Sequence, residues 1–413
     1  MKTLFLSLLV FTFINIHRAP CQESCVDTSD IMILRIDPKT ANGGSMSRLF
    51  EQIDFVPLET TKESLFGDIS QLEVTDDEFI IFDNDTKCIL IFDKLGKYKN
   101  KINLVKEVGG KINTQDVDIN GFTLKSENTT QLIVASTRNK TFVFNTKAER
   151  VDAYERSDDY YATQEYLFKD LTRVFSYYKN NKHDDKSFYQ YVLTKDDKTV
   201  GKYFEIDTGK LSKNGDFAVG GPSLIETDNS EIIHAVKYYD YNIYRITKSG
   251  ISVAYRLVFP KENSIPNDFN TNNIYFGKKI DYFFKYPKKI FGIGYTYKIG
   301  NNLYFKCGGL SSDIRNNGSF VYNLANNYLI SLNRLDIDDT SSYLPIMGRW
   351  DNNIKKYDGE YLYCSLSSLE MFNFYEQEKD KNRKYPVVMN AYFKNGNNKD
   401  NPVIIRIKPK KDI

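Results

Sequence analysis

Histidine is too scarce in this sequence to build most metal-dependent or hydrolytic active sites. The chain has three histidines: His17 in an apolar N-terminal segment, His183 in a charged loop, and His234 in a predicted strand. His17 would be removed with the N-terminal segment, and the two scattered histidines that remain cannot supply a three-histidine metal site. No Gly-x-Ser-x-Gly motif supports a nucleophilic serine. We therefore predict that His234 packs in the core or a channel, although one histidine-centred triad stays open.

Carboxylates are plentiful, but their positions are typical of turns. Aspartate doublets fall between predicted strands at 76–77, 158–159, 184–185, 196–197 and 338–339. Asp83 and Asp85 could offer oxygens to calcium, but the glycine and terminal glutamate of a calcium loop are absent, so we predict a turn cap. A pair of glycosidase carboxylates from distant segments would leave no local motif, and that alternative also stays open.

The cysteines indicate neither a zinc site nor a disulfide framework. No C-x-x-C motif occurs, and the spacing of the cysteines is wide and irregular. Cys88, Cys307 and Cys364 lie in apolar strand contexts, where a small buried side chain is expected. We predict no metal and no cofactor.

Aromatic side chains in irregular segments are the candidate ligand-binding residues. The single tryptophan, Trp350, follows Arg349, and a polar stretch at 260–289 carries Tyr275 and Phe276. Rings exposed on such segments could stack on a sugar or meet a protein partner. Packing of Trp350 between sheets, and folding of 260–289 over a sheet edge, are the structural alternatives.

The elements that position these residues are predicted to be short strands. Apolar runs at 79–82 and 89–93 flank a turn, which is typical of an antiparallel hairpin. Weaker copies recur at steps of about 50 residues, a period in the range of propeller blades. We predict an all-β fold, a six-bladed β-propeller with four-stranded antiparallel blades, in a single domain over 22–413. No linker divides the chain, and 260–289 is predicted to be a loop or hairpin added to one blade.

Orphan strands at both ends of this region predict ring closure by N- and C-terminal strands in one blade. We expect residues 31–36 to pair in the blade that contains 403–407, because each would otherwise lack a partner. Pro57 should confine its own segment to a sheet edge, since proline cannot donate to a central ladder.

The N-terminal 21 residues have the pattern of a signal peptide. Lys2 precedes an apolar run at 4–16, which is too short to span a membrane, and Ala19 and Cys21 follow. Cys21 stands where a lipoprotein carries its lipid, whereas ordinary cleavage would leave Gln22 first. We predict export to the periplasm or as an outer-membrane lipoprotein, with membrane attachment only through a lipid on Cys21.

A family resemblance follows from the segments at 49–60, 80–97 and 401–404. The first, ending in Leu58-Glu59-Thr60, resembles the opening of the exported six-bladed β-propeller proteins of Bacteroidetes. The glycine-rich turn that members often carry after blade one is absent, and residues 108–111 stand in its place. Members are mostly uncharacterised lipoproteins, so the resemblance implies fold and compartment and no particular activity.

We expect a binding or scaffolding module for a glycan or an envelope protein, because propellers present loops on a rigid ring. The alternative is a hydrolase or lyase acting on a glycan or lactone, with carboxylates converging at the central channel. The chain carries 56 basic and 54 acidic residues, and this balance gives no indication of a nucleic-acid partner.

Overall fold

Six antiparallel sheets form a ring in the computed structural model. The structure describes residues 23–109, 119, 121–127, 130–137, 140–155, 162–177, 187–196, 198–207, 224–237, 239–310, 318–348 and 353–413. Each sheet contains four antiparallel strands, and two sheets gain a fifth, parallel strand from the N-terminal segment. The prediction of a six-bladed β-propeller is therefore confirmed.

The strands are numbered in chain order. Before the first blade come β1 (Met32–Arg35), β2 (Asn42–Ser45) and β3 (Phe50–Pro57). Blade one contains β4 (Gln71–Val74), β5 (Glu78–Asp83), β6 (Cys88–Asp93) and β7 (Tyr98–Asn103). Blade two contains β8 (Thr123–Glu127), β9 (Thr130–Ser136), β10 (Lys140–Asn145) and β11 (Arg150–Glu155). Blade three contains β12 (Ala162–Leu167), β13 (Arg173–Tyr177), β14 (Ser187–Lys195) and β15 (Lys198–Asp207).

The second half of the ring follows the same plan. Blade four contains β16 (Leu224–Glu226), β17 (Ile233–Val236), β18 (Asn242–Thr247) and β19 (Gly250–Val258). Blade five contains β20 (Ile290–Ile299), β21 (Asn302–Gly309), β22 (Ser319–Asn323) and β23 (Tyr328–Asp336). Blade six contains β24 (Lys356–Tyr357), β25 (Leu362–Leu366) and β26 (Val403–Pro409), and β3 completes it. The helices are α1 (Met46–Leu49), α2 (Leu104–Glu107), α3 (Lys279–Lys285), α4 (Ser368–Glu378) and α5 (Val387–Asn395).

Alternate side chains along a strand pack in two different parts of the core, one on each side of the blade. In β5, Phe79 and Ile81 pack toward Tyr363 of blade six, whereas Ile80 and Phe82 pack toward blade two. Successive side chains of a strand point to opposite faces, so a fully apolar strand can serve two interfaces at once. This explains why all four apolar residues of β5, at 79–82, are buried.

The turns of blade one have the chemistry expected from the sequence. The carboxylate of Asp83 accepts hydrogen bonds from the backbone of Asp85 and Thr86 and from Thr86 Oγ1 at 2.6 Å, which confirms the predicted turn cap. In the following turn, Gly96 has φ +81°, and a Cβ there would lie 2.3 Å from Pro57 O. Glycine is needed at this position because β3 passes so close.

Closure of the ring uses a different N-terminal strand from the one expected. The strand β3 pairs antiparallel with β26, with Pro57 opposite Val403, and lies at the outer edge of blade six. Closure by N- and C-terminal strands and the edge position of Pro57 are thus confirmed. The pairing of residues 31–36 with this blade is wrong, because β1 instead runs parallel to β19 at the edge of blade four.

Residues 23–45, here called the N-terminal belt, cross the outer strands of three blades. Ser24 N donates to Lys202 O of blade three at 2.8 Å, β1 pairs with blade four, and β2 pairs with blade five. Leu34 of β1 is 2% exposed and joins the core between blades four and five. The belt therefore covers strand edges that would otherwise present unpaired backbone groups.

Strand direction alternates within each blade, and this sorts the loops onto two ring faces. Connections between blades share a face with the turn between the second and third strands of each blade. We call it the insertion face, because it carries residues 259–289 between β19 and β20 and residues 367–402 between β25 and β26. The opposite, hairpin face carries the turn at 94–97. None of the helices in the described part of the chain has both the length and the hydropathy needed to span a bilayer.

Candidate functional site

Charged side chains from the first strands of several blades meet in the central channel. Lys356 Nζ of β24 lies 2.8 Å from Glu73 Oε2 of β4 and 3.3 Å from Glu226 Oε1 of β16. The exposed fractions of these side chains are 18% for Lys356, 22% for Glu73 and 49% for Glu226. Blades one and four lie on opposite sides of the ring of six blades, so Lys356 of blade six links Glu73 and Glu226 across the central channel.

The bridging lysine is held in its charged form. Burial works against the ammonium, but the nearby carboxylates of Glu73 and Glu226 outweigh it and raise the pKa of Lys356 above its ordinary value. A lysine held in this way is a poor proton donor or nucleophile at neutral pH. The arrangement is suited to joining three blades across the channel.

A second group of charges links blades two and three. Glu165 of β12 lies 3.7 Å from Lys125 Nζ of β8 and 3.4 Å from Arg173 NH1 of β13. With the first group this makes three carboxylates and three basic side chains, whose formal charges cancel. Each of these three carboxylates is therefore paired with a cation. Across the residues that the structure describes, no three His, Cys, Asp or Glu side chains form a group able to hold a metal ion.

His234 is a core residue, as its strand position predicts. It lies on β17, is 2% exposed, and its Nδ1 is 3.2 Å from Thr296 O, which accepts from the neutral ring. Burial lowers the pKa of His234 to about 4, so the ring is uncharged near neutral pH. His183 lies outside the described residues. Cys88, Cys307 and Cys364 are buried, as their apolar strand contexts predict.

Residues 259–289 fold into a compact insertion with its own aromatic core. Phe269 and Phe283 are almost fully buried and pack against Tyr239, which lies in the turn between β17 and β18. The largely buried Lys279 lies in the same core, with Nζ 4.5 Å from the centroid of the Tyr239 ring. The insertion is thus fixed to blade four by packing and presents a defined surface.

Two of the predicted ligand-binding residues lie at the border of this core. Tyr275 is half-buried, with its ring centroid 4.8 Å from Phe269 and 5.6 Å from Tyr282. Phe276 is also half-buried, and its ring centroid lies 5.8 Å from Lys279 Nζ. Both residues therefore contribute to packing, and each keeps part of its surface accessible.

The other predicted site residues, Arg349, Trp350 and Cys21, lie outside the described residues. The chain immediately before Arg349 approaches α4, because a Cβ on Gly348 would lie 2.5 Å from Glu370 Oε2.

The strongly exposed apolar side chains of the insertion face were not among the predicted ligand-binding residues. In the insertion, Phe284 is 68% exposed and Ile274 is 63% exposed. In blade six, α5 begins with Val387, which is 88% exposed, and is fixed by stacking of Phe393 on Tyr375 of α4 at 4.2 Å. The doublet at Phe283 and Phe284 was a usable signal, since neighbouring helix residues cannot both face one core.

Comparison with known families decides the affiliation of the chain. The family described as a domain of unknown function (DUF4934) matches residues 33–408. The chain belongs to this family. A sequence comparison with curated proteins finds no match for this DUF4934 protein.

Several solved structures are similar to this DUF4934 protein, and one of them has a TM-score above 0.5. A Bacteroides fragilis NCTC 9343 protein, whose name describes it as exported, is 15% identical, with a TM-score of 0.62 over 92% of this chain and 100% of its own. A DUF4221 family member from Bacteroides vulgatus is 12% identical, with a TM-score of 0.42 over 88% and 97% of the two chains. A virginiamycin B lyase from Staphylococcus aureus is 13% identical, with a TM-score of 0.34 over 68% and 74%. The B. fragilis structure supports the propeller fold, and at 15% identity its similarity extends to the fold alone.

Proposed function

We propose that this DUF4934 protein is an exported binding or scaffolding module of the cell envelope, with its recognition surface on the insertion face. One observation carries this proposal. Both structured insertions, 259–289 and 367–402, lie on the same ring face, and each has exposed apolar side chains on a segment that is held in place by packed aromatic residues. A rigid ring that orders such segments reduces the entropy lost on binding.

An envelope protein is the partner that the blade-six insertion supports best. Val387 is 88% exposed and Val388 is 45% exposed at the start of α5, and aliphatic side chains contribute binding energy mainly when another apolar surface covers them. A glycan is the second candidate, since Trp350, Arg349, Tyr275 and Phe276 offer stacking and hydrogen-bonding groups of the type that sugars need.

The competing function is a hydrolase or lyase acting on a glycan or lactone in the channel. Glu73, Glu165 and Glu226, on the first strands of blades one, three and four, are the carboxylates that such a function could use. Glu73, Glu165 and Glu226 are nevertheless each paired with a lysine or arginine. Their pairing favours a role in holding the blades together, which leaves binding as the better-supported function.

The proposed function is tested by cross-linking the tagged full-length protein in its own cells and identifying the attached proteins. We expect Val387→Asp with Val388→Asp to abolish a specific cross-link that wild type forms. The matched control is Leu95→Asp, on the hairpin face, where Leu95 is 78% exposed. A cross-link that is lost in the control variant and retained in the α5 variant would place the partner on the hairpin face and would contradict the proposal.

The competing activity needs its own measurement. The purified protein is incubated with envelope glycans and lactones, and the products are analysed by mass spectrometry. Turnover that disappears in Glu73→Gln, while the variant keeps its fold, would favour the enzyme over the binding module.

We also propose that residues 1–21 direct export and that Cys21 receives a lipid. The apolar run at 4–16 followed by Cys21 supports this, as does similarity to the B. fragilis protein whose name describes it as exported. The intact mass of the native protein tests it. A chain that begins at Cys21 with acyl mass is expected, whereas a chain that begins at Gln22 without it would mean ordinary secretion.

A further inference from the structure

The tip of the insertion at 259–289 exposes apolar side chains that its own core does not use. Ile274 is 63% exposed, Phe284 is 68% exposed and Tyr286 is 42% exposed. Phe284 follows the fully buried Phe283 on α3, and the ring of Tyr286 lies 4.8 Å from that of Tyr282. Packing below these side chains fixes their positions, so their exposure is a property of a folded surface.

The same segment carries an excess of positive charge. Residues 260–289 contain six lysines against two aspartates and one glutamate. Lys278, Lys285 and Lys288 are exposed, and Lys285 Nζ lies 5.4 Å from the centroid of the Tyr286 ring. The one glutamate, Glu262, is already paired with Lys39 of the N-terminal belt at 2.5 Å. Asp268 and Asp281 are exposed as well, but the exposed lysines, which also include Lys261, outnumber them.

Exposed aromatic and aliphatic side chains ringed by lysines fit the boundary between water and an anionic bilayer. Rings and branched side chains enter the headgroup region, while ammonium groups contact lipid phosphates at the same depth. The chain as a whole has a formal net charge of only +2. The attraction would thus be local to the insertion and would orient the ring.

We propose that the insertion docks on an anionic lipid surface. Ile274, Phe284 and Tyr286 enter the headgroup layer, and lysines of the same segment bind lipid phosphates. The proposal goes beyond the envelope-protein partner assigned to α5, and it does not require a lipid on Cys21. A lipid there would make the insertion a second point of attachment, and two weak attachments together give stable anchoring.

The test is sedimentation of the exported chain with vesicles of phosphatidylcholine alone and of phosphatidylcholine mixed with phosphatidylglycerol. Any acyl chain on Cys21 would add the same affinity to every variant. We expect wild type to bind the anionic vesicles more tightly than the neutral ones, and to lose that difference at high salt. Lys285→Glu and Lys288→Glu should each weaken binding at least fivefold, the size of about one lysine contact at an anionic surface.

The apolar contribution is tested with Phe284→Ser, which we expect to weaken binding to the anionic vesicles by roughly tenfold, as burial of one aromatic side chain suggests. Matched controls on the hairpin face are Leu95→Ser and Lys147→Glu, where both residues are exposed. Phe284 is exposed, so its variant should keep the wild-type melting curve, which separates lost binding from lost folding.

Three results would overturn the proposal. Wild type could fail to prefer anionic vesicles, or the insertion variants could bind them as tightly as the hairpin-face controls. Binding to a soluble acidic polysaccharide without binding to vesicles would assign the lysines to a glycan instead of a lipid.

Discussion

The side-chain amide of Asn401 donates a hydrogen bond to the backbone oxygen of Ser64 at 2.9 Å. It also donates to Glu59 O at 2.8 Å, and its oxygen accepts from Phe66 N at 3.0 Å. Asn401 is 0% exposed and directly precedes Pro402, just before β26 of blade six. This one side chain therefore joins the end of the ring to the connection that leads into blade one.

Asn401→Ala should destabilise the protein by about 3 kcal/mol or more, because it leaves several buried backbone groups without partners. Asn401→Asp should be at least as damaging, since it replaces the donor amide with a group that repels the two carbonyl oxygens. Asn398→Ala, at an exposed position nearby, is the control and should stay within about 0.5 kcal/mol of wild type. Urea denaturation measures the stability of all three variants. Equal unfolding midpoints for Asn401→Ala and Asn398→Ala would contradict the proposed role of Asn401 in joining the end of the ring to blade one.

Packing of the N-terminal belt can be tested within a single strand. Leu34→Ala should cost about 2–5 kcal/mol because Leu34 is buried between two blades. Ile33 is 59% exposed in the same strand, so Ile33→Ala should change stability by less than about 0.5 kcal/mol. Thermal melts compare the two variants, and a belt that does not contribute to folding would give indistinguishable curves.

The channel bridge should make stability depend on alkaline pH. The folded-state pKa of Lys356 is raised above its ordinary value of 10.5, so its contribution is complete below pH 10.5 and is lost as pH rises through the folded pKa. We expect Lys356→Met to destabilise by about 1–2 kcal/mol at pH 7, a value reduced for partial exposure of the partners. Denaturant titrations should show the gap between wild type and variant closing above pH 10.5.

The two carboxylates of this bridge should not contribute equally. Glu73 is closer to Lys356 and less exposed than Glu226, so Glu73→Gln should destabilise more than Glu226→Gln in the same titrations. The reverse order would mean that the channel bridge is held mainly from blade four.

His234 should make the protein sensitive to acid. Its folded pKa is about 4 against an ordinary 6.5, so the unfolded chain binds more protons between these values. Stability should fall as pH drops from 6.5 toward 4, by up to about 3 kcal/mol from this residue alone. His234→Gln should flatten the stability profile in this window, as measured by urea denaturation at several pH values. A profile as steep as that of wild type would assign the acid sensitivity to other groups.

Most of the fold was predictable because its strands and turns are determined by residues that are close together in the sequence. The β5–β6 hairpin, the Asp83 turn cap and the edge position of Pro57 each follow from a few neighbouring residues. The partner of residues 31–36 was predicted wrongly because an apolar strand of that length pairs equally well with several sheet edges. Parallel pairing at the outside of a blade leaves no turn in the sequence to reveal the partner.

The candidate site was less accessible to prediction. Lys356, Glu73 and Glu226 come from three blades, and nothing near any of them in the sequence marks the other two. Around α3, the pattern showed an aromatic insertion but not which rings the insertion would bury. That depended on Tyr239, which belongs to another loop and supplies part of the core.

The N-terminal belt also has a consequence for the order in which the molecule can assemble. Its residues are made first, yet their partners in blades three to five are made later, so the belt must wait unpaired until those blades have been synthesised. Blades one and two need only local hairpins and can form early, whereas the ring can close only when β26 arrives. Pulse-labelled hydrogen exchange should therefore show β1 and β3 gaining protection after β5 and β6. Until then the newly made chain is an open arc with exposed strand edges, and we expect its folding to depend on chaperones.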